Sequence, residues 1–157
     1  MIYAAVLIGL AAGLRTMTAP AAVSWAAHSG AIDLSATPLF FLGHLASPLI
    51  FTALAAVELV VDKLPSTPSR LIPFQLGSRI ASGGFCGCAF GLAANGAASG
   101  GLLGAALGAG AAVAGAFGGA MLRRKLAHAL RRDLPAALIE DVLAVSIAAL
   151  AVAGAAS

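Results

Sequence analysis

The sequence predicts an all-α membrane bundle of about five transmembrane helices, and three observations carry that expectation. Hydrophobic residues make up 61% of the 157 positions and charged residues only 10%, whereas a soluble domain carries about 25% charged residues. Mean hydropathy is +1.00. The apolar residues gather into five runs, each near the roughly 20 residues that cross a bilayer core. The basic residues fall in alternate connections between those runs, as retention of positive loops on the cytoplasmic side requires. The chain suits one integral membrane domain, residues 1–157, and is too short for two.

The first span runs from about Ile2 to Ala27 and holds the stretch "GLRTMTAP", Gly13 to Pro20, where the helix is expected to break or kink. Pro20 has no N–H for the carbonyl of Thr16, and the Thr16 and Thr18 hydroxyls are placed to bond the freed backbone. No basic segment precedes the run and Arg15 interrupts it, so a retained helix is expected rather than a cleaved signal peptide. The second span covers about Leu39 to Val61 and the third about Phe74 to Ala94. The fourth covers about Gly101 to Leu122 and the fifth about Pro135 to Ala153. Glycines recur every four residues at Gly9 and Gly13, at Gly83, Gly87 and Gly91, and at Gly100, Gly104 and Gly108. Such spacing lets two backbones approach along one stripe, within the chain first and across a homodimer second. Cys86 and Cys88 sit two apart, on different helix faces, and read as small core residues.

The connection after the first span carries Asp33 and no Lys or Arg; the next carries Lys63, Arg70 and Arg79. After an uncharged turn comes "RRKLAHALRRD", with Arg123, Arg124, Lys125, Arg131 and Arg132, which reads as a basic amphipathic segment on anionic headgroups. Five spans then place the N-terminus in the cytoplasm and the C-terminus outside. Tyr3 and Trp25 would mark the two interfaces of the first span. The net charge of +3 forms no stripe with interleaved aromatics, which excludes nucleic acid as a partner. The expected partners are the lipid bilayer, a second copy of the chain and a small solute or ion.

A charge inside the bilayer needs a partner, water or both, so the ionisable residues within the spans define the candidate site. These are Arg15, Glu58, Asp62, Arg79, Glu140 and Asp141, joined by Thr16 and Thr18 at the break. Acids from the second and fifth spans would face arginines from the first and third across a cavity open to the cytoplasm. Lys63, Arg70 and Arg131 are candidate contacts for an anion or a headgroup. The bland alternative is that buried charge pairs fix helix register and nothing more. His28 and His44 flank the Asp33 loop without a spacing that selects a metal, and they read as interfacial polar residues. No nucleophile motif, zinc motif or phosphate loop occurs, so neither an enzyme nor a cofactor is expected.

The stretches "GLRTMTAPAAVSWAA", "ELVVDKLPSTPSR" and "LPAALIEDVLAVSIAAL" together resemble a family of small bacterial integral membrane proteins catalogued as a domain of unknown function. The resemblance spans nearly the whole chain and rests on Arg15, Pro20, Glu58, Asp62, Lys63, Pro65, Glu140 and Asp141. It implies a multi-pass protein of the bacterial inner membrane and supplies no activity. The function expected from the residues is passage of a small solute or ion, with an anion matched to Arg15 and proton coupling matched to Glu58 and Glu140. A non-transporting scaffold, assembly or lipid-binding protein is the alternative.

Overall fold

The computed structural model describes residues 1–62, 72–130 and 133–156. They form six α-helices: α1 (Ile2–Leu14), α2 (Thr18–His28), α3 (Ala46–Val61), α4 (Pro73–Asn95), α5 (Ala98–Leu130) and α6 (Asp133–Ala156). A single 3-10 turn, Phe40–Gly43, precedes α3, and the described residues contain no strand. Two stretches, Ala98–Ala129 and Leu134–Ala156, are long and apolar enough to cross a membrane; α1 and α3 are apolar but shorter.

Helix α4 opens with Pro73 in its first turn, where a missing N–H costs nothing. It ends at Gly96, whose φ of 63° is the left-handed cap that glycine adopts without a Cβ clash. Helices α4 and α5 pack antiparallel on their glycines: Gly83 lies against Gly108, Gly87 against Gly104 and Gly91 against Gly100. Helix α1 lies in the same groove, with Gly9 against Gly108 and Gly13 against Ala112 and Gly115. The small-residue stripes are therefore spent on contacts within the chain, where three backbones meet and gain dispersion energy.

The first span is not one rod. Tyr3 in the first turn of α1 donates its hydroxyl to the Gly154 carbonyl near the end of α6, while Arg15, just past α1, meets Asp141 on α6. Helix α1 thus runs antiparallel to α6 and parallel to α5. Helix α2 begins beside Ser82 of α4, through the Thr16 carbonyl. The turn that follows α2 stacks Phe41 on Phe85 of α4, about 9 Å farther from Arg79 toward the Gly91 end. The chain therefore reverses at Arg15–Met17, and α1 and α2 form a helical hairpin whose tip lies inside the bundle. Pro20 falls in the first turn of α2, where its missing N–H has no intrahelical partner to lose.

This reversal corrects the expected topology. A single first span puts the two termini on opposite sides, yet the Tyr3–Gly154 contact puts the start of α1 and the end of α6 at one end of the bundle. Two further boundaries move. Helix α3 starts at Ala46 rather than Leu39, because the chain between them is taken by the 3-10 turn. Arg123, Arg124, Lys125 and His128 continue α5 as helix to Leu130 instead of forming a separate interfacial segment.

The buried core is mostly apolar, with Ile8, Val23, Leu42 and Phe90 fully covered, but it also encloses charge. Arg15 and Arg79 are the largest fully buried side chains, whereas Leu102 (73%), Val60 (65%) and Leu150 (62%) stand exposed. Charged groups are almost never fully buried in water-soluble folds unless they are paired.

Candidate functional site

The hairpin tip leaves backbone groups that no helix can satisfy, since the last carbonyls of α1 and the first amides of α2 lack intrahelical partners. Arg15 leaves the helix with φ −141° and ψ 118°, which turns the chain. Side chains from neighbouring helices then complete the backbone. Arg79 NH1 donates to the carbonyls of Gly13 at 2.9 Å and Leu14 at 2.6 Å. Ser82 Oγ donates to the Thr16 carbonyl at 2.6 Å. The amides of Thr16 and Met17 donate to the two carboxylate oxygens of Glu58, each at 2.8 Å. A cation thus sits at the negative end of α1 and an anion at the positive end of α2, both in the sense the helix dipoles favour.

Arg15 occupies the tip itself and has no solvent exposure. Its NH1 is paired with Asp62 and its NH2 with Asp141, so α3 and α6 both hold it. Its buried Nε has no hydrogen-bond partner among the described residues. Glu140, next to Asp141, is 1% exposed and has Arg123 NH1 at 4.0 Å from Oε2.

The structure brings together Arg15, Glu58, Asp62, Arg79 and Asp141 at the tip, while Glu140 faces α5. Arg79 lies within α4, which covers the expected third span, and is 1% exposed. Thr16 contributes its main chain and Thr18 starts α2; among the described residues neither hydroxyl takes the freed carbonyl, which goes to Ser82. Ser82 was missed by sequence reasoning, although a small polar residue one turn after Arg79 shares its helix face. Arg123 of the basic segment approaches Glu140. Lys63, Arg70 and Arg131 lie outside the described residues.

No protein-family model, characterised protein or solved structure matches this chain. The site is therefore read from its own chemistry. Among the described residues no group of three His, Cys, Asp or Glu side chains could hold a metal, and Cys86 and Cys88 are free thiols. At the other end of the bundle the His28 Nδ1–H donates to the Gly43 carbonyl and the ring packs edge-on to Trp25. His44 packs edge-on to Phe40. Beside them a cavity of about 340 Å³ is lined by Ile32, Asp33, Ser35 and Phe40 among others. The Ser35 hydroxyl and then its amide hold the Asp33 carboxyl below its ordinary pKa. The chemistry concentrated at the tip is ionic: carboxylates beside a guanidinium and two backbone amides that already hold an anionic group, Glu58.

Proposed function

We propose that the chain is an integral membrane protein that passes a small solute or ion, an anion being the class matched to Arg15, across a bacterial inner membrane. In this reading α3, α4, α5 and α6 are four spans and α1–α2 is a re-entrant hairpin dipping from the outer face. The α1 and α2 arms are the shortest α-helices, with 13 and 11 residues against 16 in α3 and the roughly 20 that cross a bilayer core. The observation that carries the proposal is the broken backbone at Arg15–Met17, surrounded by buried ionisable groups. Irregular backbone at membrane depth persists only where protein covers it or where it lines a polar path, and secondary transporters place substrate sites at such helix breaks. Glu58 and Glu140 serve as exchanging carboxylates, and proton coupling runs through them. The homodimer falls to the outward stripe Ala106, Gly110, Ala114 and Gly118, where a Cβ added at either glycine meets nothing within 4 Å.

With four spans, both termini and the Asp33 loop lie outside and the basic ends of α4 and α5 lie inside, in keeping with the positive-inside rule. Single cysteines at Ile2, Ser29 and Ala156 are expected to react with an impermeant maleimide from one side, and one at Lys125 only from the other. Opposite-side labelling of Ile2 and Ala156 sinks the hairpin topology.

Transport itself is tested by dye-reported proton and anion flux in proteoliposomes, comparing the wild type with folded Glu58→Gln and Arg15→Gln variants. Losing either charge is expected to slow flux about a hundredfold, because each leaves a buried partner uncompensated. The scaffold reading has its own support: Arg15 has two acids, Arg79 two carbonyls and Glu58 two amides. Absence of flux over a broad ion panel, with both variants destabilised, would favour it.

A further inference from the structure

We infer that the amides of Thr16 and Met17, with the Arg15 guanidinium, form a carboxylate site that α3 fills with its own acids and yields to a free small monocarboxylate. The inference rests on the transport reading and gives that site a ligand class.

The first support is an occupant already in place. Glu58 sets one oxygen on each of two consecutive amides, both at 2.8 Å, which is the way a free acetate or formate would sit. An exposed helix N-terminus attracts anions through its unpartnered N–H groups and its dipole. The second support is Arg15. It directly precedes those amides, is fully buried, and keeps a buried Nε–H without a hydrogen-bond partner among the described residues. A buried donor of that kind costs stability while it stays unpaired, and an entering carboxylate supplies acceptors.

The third support is where the resident acids come from. Glu58 and Asp62 both belong to the last turn and cap of α3. Pro48 is the one buried residue of that helix, and α3 packs chiefly on α2 and the 3-10 turn. Withdrawing its C-terminal end leaves the glycine contacts among α1, α4 and α5 intact. Arg15 then keeps Asp141 as its acid and Arg79 stays on the Gly13 and Leu14 carbonyls, so an entering monocarboxylate takes the place of the α3 acids on Arg15 and the two amides. The acids of α3 thus act as tethered competitors that occupy the site while it is empty of solute.

The test is binding of isotope-labelled acetate to the purified full-length chain in detergent micelles. Glu58→Gln keeps the side-chain volume but gives up the charge and one acceptor. Acetate affinity is expected to rise about tenfold in that variant, the loss of one charge-assisted hydrogen bond from the competitor. Asp33→Asn, at the far end of the bundle, is expected to bind as the wild type does. In Glu58→Ala the thermal midpoint is expected to fall and to be restored saturably by acetate, and less by chloride at equal ionic strength. Equal acetate affinity in wild type and Glu58→Gln overturns the site, as does restoration by chloride as complete as by acetate. Because binding is read without a membrane, acetate binding without flux removes the transport reading and leaves the site standing. Flux without acetate binding does the reverse.

Discussion

Arg15→Met is expected to lower the unfolding free energy by about 3–5 kcal/mol, the range found when one member of a buried ion pair is removed. The guanidinium is fully buried and paired on NH1 with Asp62 and on NH2 with Asp141. Without it two carboxylates at the tip face each other with no cation between them, and desolvation then works against both. The triple change Arg15→Met, Asp62→Asn, Asp141→Asn removes the charges together. It is expected to recover most of the loss, because neutral groups of similar volume replace a buried pair at little cost. Chemical unfolding in micelles, followed by helix content, measures both. A single variant as stable as wild type would mean that the tip is solvated and the pairs contribute nothing. A triple variant as unstable as the single would mean that Arg15 acts through packing and not through charge.

Much of this architecture was legible in the sequence, and the rest failed for identifiable reasons. Composition and charge spacing gave an all-helical chain with outward apolar faces, and the same reasoning named Arg15, Glu58, Asp62, Arg79, Glu140 and Asp141 before any contact was known. The fold-back of the first run was not legible. A stretch of apolar residues from Ile2 to Ala27 has one composition whether it crosses a bilayer once or descends and returns. Its only mark is "GLRTMTAP", which signals a break and not an angle. The side read for the N-terminus depends on that same ambiguity, since positive-inside counting follows how many times the chain crosses. The glycine stripes were legible as close-approach surfaces, but their spacing is the same for a neighbour in the chain and for a second copy. Continuation of α5 past Leu122 had a signal that charge masked. No Gly or Pro occurs from Met121 to Leu134, so nothing in "RRKLAHALRRD" stops a helix. Ser82 shares a helix face with Arg79, but its partner, the Thr16 carbonyl, depends on the register in which α4 meets the hairpin tip.

That register leads to the second large effect, in which one substitution has opposite signs at two glycines. Alanine in place of helical glycine gains up to about 1 kcal/mol from backbone entropy alone. At Gly77, where a Cβ meets nothing within 4 Å, Gly77→Ala is expected to raise the unfolding free energy by that amount. At Gly87 the same Cβ falls under 3.0 Å from the Gly104 carbonyl oxygen, with the Gly104 carbon at 3.0 Å and the Gly108 Cα at 3.1 Å. These are backbone atoms, so no rotamer change relieves the clash and α4 must move away from α5. Gly87→Ala is therefore expected to lower stability by about 1–3 kcal/mol despite its better propensity, and Gly87→Val by more. The effect also reaches the charged tip. Gly108 touches both Gly83 and Gly9, so separating α4 from α5 shifts the groove that seats α1 and with it Arg15. Acetate affinity in the Gly87→Ala, Glu58→Gln double variant should then fall below that of Glu58→Gln alone. Parallel thermal scans of Gly87→Ala and Gly77→Ala in micelles decide the packing half. If both shift the midpoint the same way, the glycine interlock is not what holds the hairpin in place.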